Sequence, residues 1–441
     1  MRMKLMMAIL LAGSMGGAAL ARQAQPAPRP APPAAAPAAI GQYPALKTLL
    51  DRYVAEDKTP GVVAAIGEGT APPSFIVAGR VGSAAGAAPA SPDSLWRVYS
   101  MTKPITAMAA MMLIEDGKMS LDQPVSDFIP AFRDMKVLTD PANSLASRPA
   151  ARPITIRHLL THTAGLGYNI ITKGPLLDEY NKRGINPAQV NAGMEPDMRK
   201  VRPETLQAFA ERVATLPLIA DPGTVWSYSI GLDVMGAVIE KASGMSFDAF
   251  LQQRMFGPLG MRSTFWTVPQ ADVGRLADNY AWVGDNRVPF DPAATSVYLQ
   301  PPSFPYGGAG LVMSARDYDR FLQMLAGGGA VDGVRVMKAQ TVAVAMSNLL
   351  PAGVTFSGVA GGTGGDTNPL QGYGAGGSVY LRDVPGGAGK GTYGWGGAAG
   401  TVAWVDPTRK LRGTIMVNYF PSDKWPLRAD VIQALYADHR P

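Results

Sequence analysis

The sequence predicts an α/β (α+β) fold: an antiparallel sheet built from both chain ends, helices flanking it, and a mostly helical part inserted between. Three observations lead there. Short apolar runs bounded by Gly and Pro occur at Gly61–Ile66 with Ser74–Ala78, and again at Gly400–Val405 with Arg412–Tyr419. Each pair is close enough in sequence to be two strands joined by a turn. From Ile105 to Leu325 the apolar residues instead recur at helical spacing. Finally, 441 residues with 47% hydrophobic and 17% charged composition are enough for a substantial core.

At the start of the chain, Arg2 and Lys4 precede an apolar run from Leu5 to Leu11, and small residues follow as far as Ala19-Leu20-Ala21. This is the layout of a secretory signal peptide over residues 1–21, cut after Ala21, and it points to a periplasmic or secreted bacterial protein. A retained membrane anchor fits less well, because glycines interrupt the run and it is short for a bilayer, so no stable span is expected after cleavage. Residues 22–40 are almost entirely Pro, Ala and Gln and read as an extended tether. The folded domain is expected over 41–441, with the sheet part at about 41–103 and 305–441 and the helical part at about 104–304.

Composition excludes several functions. Cysteine is absent, so neither disulfides nor a lipoprotein anchor are available. Of the net charge of +6, Arg2, Lys4, Arg22 and Arg29 lie before residue 41, where there is no acid, leaving a surplus of two for the rest. A nucleic-acid partner would need basic residues concentrated on one face, and no such block is present. The run Pro385–Gly391 is glycine-rich, but its spacing is not that of a phosphate-binding loop, so no nucleotide and no other cofactor is expected.

Within the helical part, Leu206, Phe209, Ala210 and Val213 share a face of a helix expected to start at Pro203-Glu204. Ser314-Ala-Arg-Asp317 reads as a capping box opening another helix. His158 and His162 are four apart, but no Glu completes a zinc-protease helix and no third ligand is evident. They read as structural, and no metal site is expected.

No G-x-S-x-G is present, so a nucleophile elbow is absent. Lysine offers the remaining route to an activated serine, and Ser lies three residues before a Lys only at Ser100-Met-Thr-Lys103. Near a helix start, that spacing brings the amine to the hydroxyl. An amine in water keeps its proton at neutral pH, so such a site has to be dry. The strand-like Leu95–Tyr99 precedes the motif, and Pro104 falls in the first turn, where its missing amide is tolerated.

The chain at this point resembles the class C β-lactamases and, more closely, the family VIII carboxylesterases that share their β-lactamase/transpeptidase-like fold. The resemblance runs from about Ala45 to the C-terminus. It includes Ile154–Gly165, Pro258-Leu-Gly-Met261 and Gly307–Leu311. It implies Ser100 as nucleophile, Lys103 as primary base, and Tyr228, of Tyr228-Ser-Ile230, as the group returning a proton to the leaving alcohol. Ile230 stands where the lactamases carry Asn, and Trp395-Gly396-Gly397 where they carry Lys-Thr-Gly. The amides of Ser100 and Ala398 are implied as the oxyanion donors.

The substrate implied is a small-molecule ester or amide. A short-chain carboxylesterase leads. The alternatives are a β-lactamase or D-Ala-D-Ala carboxypeptidase, an acyltransferase, and a non-catalytic binder of cell-wall fragments. Trp395 removes a cationic partner for the drug carboxylate and Ile230 removes a partner for its amide, which together imply a preference for esters of at least about 100-fold. Intact-mass measurement of exported protein is expected to show a chain lacking Met1–Ala21; a membrane-bound species retaining Met1 would contradict the signal-peptide reading.

Overall fold

The computed structural model describes residues 43–359 and 370–438, so the signal-peptide and tether segments and His439 lie outside the described residues. Its centre is a seven-stranded antiparallel sheet. Strands β1 (Gly61–Glu68) and β2 (Ser74–Gly79) come from the beginning of the chain. The remaining five, β3 (Gln371–Tyr373), β4 (Ser378–Tyr380), β5 (Tyr393–Gly396), β6 (Val402–Asp406) and β7 (Leu411–Met416), come from its end. The order is β3-β4-β5-β6-β7-β1-β2, so the two ends meet where Val63 faces Met416 and Ala65 faces Thr414.

β1 has alternating side chains but is apolar on both faces, because both are covered. Val62, Ala64 and Ile66 pack with Leu46, Leu50 and Tyr53 of α1 (Pro44–Ala55) and with Val431 and Leu435 of the C-terminal helix α5 (Leu427–Asp438). Val63 and Ala65 face the larger core, which includes α2 (Thr102–Glu115) and α4 (Ala315–Ala326). The terminal helices are also joined by polar groups: Asp438 accepts the amides of Ala45 and Leu46, both at 3.0 Å, satisfying two donors that a helix start leaves over.

α2 is enclosed on every side from Thr102 to Leu113. Its Ile105, Met108, Met111 and Met112 each contribute about 1.5–3 kcal/mol of burial to holding this helix in place. α3 (Gly231–Ser243) packs across it, buried from Gly231 to Ile239.

The structure departs from expectation at several local points. Leu95–Arg97 is a strand, but it belongs to a separate three-stranded sheet with Val312–Ser314 and Thr264–Phe265. The middle of the chain also carries the hairpins Lys136–Leu138 with Ser147–Pro149 and Asn279–Val283 with Asn286–Asp291. The helix expected at Pro203-Glu204 begins at Leu206, where the Thr205 hydroxyl accepts the Ala208 amide. At Ser314-Ala-Arg-Asp317 only half of the capping box forms. Ser314 accepts the Asp317 amide, but the Asp317 carboxylate accepts the Ser263 amide at 2.6 Å and the Thr264 hydroxyl at 2.8 Å, tying α4 to the small sheet.

Arg97 and Asp291 form an ion pair at 2.6 Å with both side chains fully enclosed. Arg97 also donates to the carbonyls of Ala277 and Asp291 and to Ser296 Oγ, so the guanidinium is well satisfied. Its backbone exchanges two 3.0 Å hydrogen bonds with the Asn418 side chain. The segment leading to Ser100 is thus anchored on both sides.

Candidate active site

After Arg97 the chain turns sharply. Tyr99 has φ +43°, a left-handed conformation that costs a non-glycine residue about 1–3 kcal/mol. Tyr99 Oη accepts Asn279 Nδ2 at 2.9 Å and its ring packs against Phe420, so the neighbours hold the conformation. A 3₁₀ turn, Tyr99–Met101, carries Ser100 just ahead of α2. Ser100 therefore precedes the α-helix instead of lying on it, yet Lys103 Nζ still reaches Ser100 Oγ at 3.2 Å.

Lys103 is wholly buried, and among the described residues no carboxylate lies within ion-pair distance of its amine. Its amine donates to the Gly308 carbonyl at 2.8 Å and lies over the rings of Tyr228 and Tyr168, 4.6 and 5.3 Å from their centroids. The segment Gly307–Leu311 runs along the first turn of α2. Thr106 Oγ1 donates to Gly307 O at 2.6 Å, Lys103 to Gly308 O, and Thr102 Oγ1 accepts the Leu311 amide at 3.2 Å.

Gly308 in turn donates its amide to Asp233 Oδ1 at 2.7 Å. A Cβ at Gly308 would lie 2.5 Å from Asp233 Oδ2, so the close approach requires glycine. Burial raises the Asp233 carboxyl to about 7, while the Lys103 charge and the Gly308 amide pull in the opposite direction. Asp233, in the first turn of α3, was not singled out from the sequence. Nor was Tyr168, whose hydroxyl burial pushes well above its usual range, helped by Tyr228.

Tyr228 reaches the site on the loop leading into α3. Ser227 donates its amide to His162 O at 2.9 Å, and Tyr228 Oη donates to Ser100 Oγ at 2.6 Å. His162 is a support. Its Nδ1 meets Ser229 Oγ at 2.9 Å and its ring makes edge contacts with Tyr228, Trp226 and Tyr373. Burial, then the charge of Lys103, holds His162 well below the usual imidazole range. His158 sits apart, at the start of a short helix where its Nδ1 accepts the Thr155 amide, and burial lowers it to about 4. The two imidazoles do not share a helix face. Among the described residues no group of three or more His, Asp or Glu is placed to hold a metal ion.

Ser100 and Tyr228 open onto a cavity of about 260 Å3 also lined by Ile170, Trp395, Ala398 and Phe420. Trp395 Nε1 points to Tyr228 Oη at 3.5 Å, the outer limit of a hydrogen bond, and its ring packs against Tyr228, Tyr373 and Phe356. Gly396 and Gly397 line the same cavity. Their lack of side chains has a structural cause besides access for a substrate: a Cβ would lie 2.8 Å from the Arg428 guanidinium carbon at Gly396 and 2.4 Å from Val98 O at Gly397. Ile230 corrects the sequence reading. As the residue before α3 it is fully enclosed in the main core and does not line this cavity.

A family model described as Beta-lactamase matches residues 46–437. Esterase EstB of Burkholderia gladioli is 31% identical over 377 residues, 79% of this chain and 84% of that protein. Acyltransferase calJ of Penicillium decumbens is 30% identical over 378 residues, 78% of this chain and 80% of that one. A solved structure described as EstCE1, a hydrolase with promiscuous acyltransferase activity, superposes with a TM-score of 0.70 at 24% identity, covering 89% of this chain and 97% of its own. Matched over nearly its whole described length, the chain belongs to the Beta-lactamase family.

Proposed function

We propose that the protein is a serine hydrolase working through an acyl-enzyme on Ser100, with short-chain carboxylic esters as substrates. The observation that carries this reading is the Ser100 hydroxyl held between two proton-handling groups, Lys103 Nζ at 3.2 Å and Tyr228 Oη at 2.6 Å, beside an apolar cleft. In the first half-reaction Ser100 Oγ gives its proton to Lys103 and bonds the acyl carbon. The carbon–oxygen bond to the alcohol then breaks, and Tyr228 supplies the proton that the departing alcohol takes. Water repeats the sequence in reverse, returning the acid and the free serine. The developing oxyanion is received by the amides of Ser100 and Ala398, neither of which is taken up by a hydrogen bond among the described residues.

Two features favour esters over β-lactams. Trp395 offers no charge to a drug carboxylate, and a charge-assisted hydrogen bond contributes about 1.5–3 kcal/mol. The esterase EstB supports the same choice by its name. Because Ile230 is enclosed, no preference is assigned to that position, and the expected margin shrinks accordingly. A second reading, acyl transfer, is supported by the relative calJ: an alcohol that outcompetes water would take the acyl group from the same intermediate. An exported site of action, resting on residues 1–21, belongs to the proposal as well.

Lys103→Ala is expected to lower kcat for an activated ester by at least about 100-fold, and Tyr228→Phe to be strongly impaired too. Near-normal turnover by a folded Lys103→Ala protein would assign the base elsewhere. For the unaltered protein, kcat/KM for p-nitrophenyl butyrate is expected to exceed that for a chromogenic cephalosporin by at least about tenfold, the lower end of the Trp395 effect. Equal turnover would put the β-lactamase reading first, and a new ester appearing when an alcohol is added would favour acyl transfer.

A further inference from the structure

β5 and β6 are joined by a tight turn whose residues carry the implied oxyanion donor. Gly397 donates its amide to Thr401 O at 2.8 Å and accepts the Gly400 amide at 3.2 Å, closing the turn with Ala398 at its tip. Into this turn reaches Arg428, from the first turn of α5. Its Nη2 donates to Gly397 O at 2.6 Å and to Thr401 O at 2.9 Å.

The carbonyl it grips belongs to the same peptide unit as the Ala398 N–H. A charged donor on a peptide oxygen draws electron density from the nitrogen side and strengthens that N–H as a donor, while fixing the plane in which it points. The arrangement is otherwise costly. Arg428 Nε is enclosed without a partner, and among the described residues no carboxylate lies within ion-pair distance of the guanidinium. Burial lowers Arg428 to about 10, so it remains a cation at neutral pH. The bare Cα of Gly396 makes room for it.

We propose that Arg428 is a positioning residue for the oxyanion site, orienting and polarising the Gly397–Ala398 peptide from the side opposite its N–H. The proposal rests on the acyl-enzyme reading above. A clip that only fastened α5 to the sheet would support stability without distinguishing transition state from ground state. A polarising contact instead acts on kcat.

The test is steady-state kinetics on an activated ester with Arg428→Met, Arg428→Lys and Ser100→Ala, alongside thermal melting. Removing an oxyanion donor outright costs about 100- to 1000-fold. Losing its anchor is therefore expected to lower kcat of Arg428→Met by about 10- to 100-fold with KM within about threefold. Arg428→Lys, which keeps the charge, is expected to fall by less, though by at least about fivefold, with its melting point close to the parent. A folded Arg428→Met with kcat within about threefold of the parent, or with its loss confined to KM, would overturn the proposal. If Arg428→Met does not fold, Arg428→Lys decides in the same way: lower kcat at unchanged KM supports the role, unchanged kcat overturns it. Loss of activity in Ser100→Ala beside an unimpaired Arg428→Met would overturn the role of Arg428 alone, whereas an active Ser100→Ala would overturn the acyl-enzyme reading itself.

Discussion

The hydrogen bond from Lys103 to the Gly308 carbonyl is the contact on which the site's geometry turns. A buried lysine is ordinarily tied to a carboxylate, which would hold its proton and its side chain together. Here the amine ends on a backbone oxygen and two ring faces, and Ser100 Oγ lies at 3.2 Å. The carbonyl is in place because Gly307–Leu311 is bonded to three residues of the first turn of α2, and because Asp233 holds the Gly308 amide. Asp233 lies five residues after Tyr228 in the chain, so one short segment sets the positions of both groups that flank Ser100.

That geometry puts charge where burial is expensive. Asp233 is raised to about 7 from an ordinary value of 3.8, so between about pH 4 and 7 the folded state holds a proton that the unfolded chain has lost. Its ionisation therefore takes stability away as pH rises through that range. Arg428 and the left-handed Tyr99 are further sites where local stability is given up beside the cleft. The surrounding scaffold offsets them: the fully enclosed α2, the Arg97–Asp291 pair, and the sheet covered on both faces.

The sequence carried much of the scaffold, for physical reasons that vary by element. β1, β2, β6 and β7 were legible because apolar runs between Gly and Pro have few other ways to be buried. Ser100 and Lys103 were legible because their proximity is set by local spacing. Leu95–Arg97 was legible as a strand but its separate sheet was not, since three residues do not specify their partner and Leu95 pairs with Ser314, far along the chain. Position 230 was misread for a related reason: its place in a motif says nothing about which way the side chain turns at a helix start. Asp233 and Arg428 grip backbone atoms of distant segments, Gly308 acts through its own backbone, and no spacing rule reports such contacts. The glycines at 307, 308, 396 and 397 were visible, and the close approaches that require them appear only in three dimensions.

In the proposed reaction the acyl group passes through Ser100. Acid quenching during turnover of p-nitrophenyl acetate, followed by peptide mass spectrometry, tests it directly. One acetyl group is expected on the peptide containing Ser100, formed in a burst and absent from Ser100→Ala. Full turnover with the acetyl group on another residue, or with the same peptide acetylated in Ser100→Ala, would contradict it.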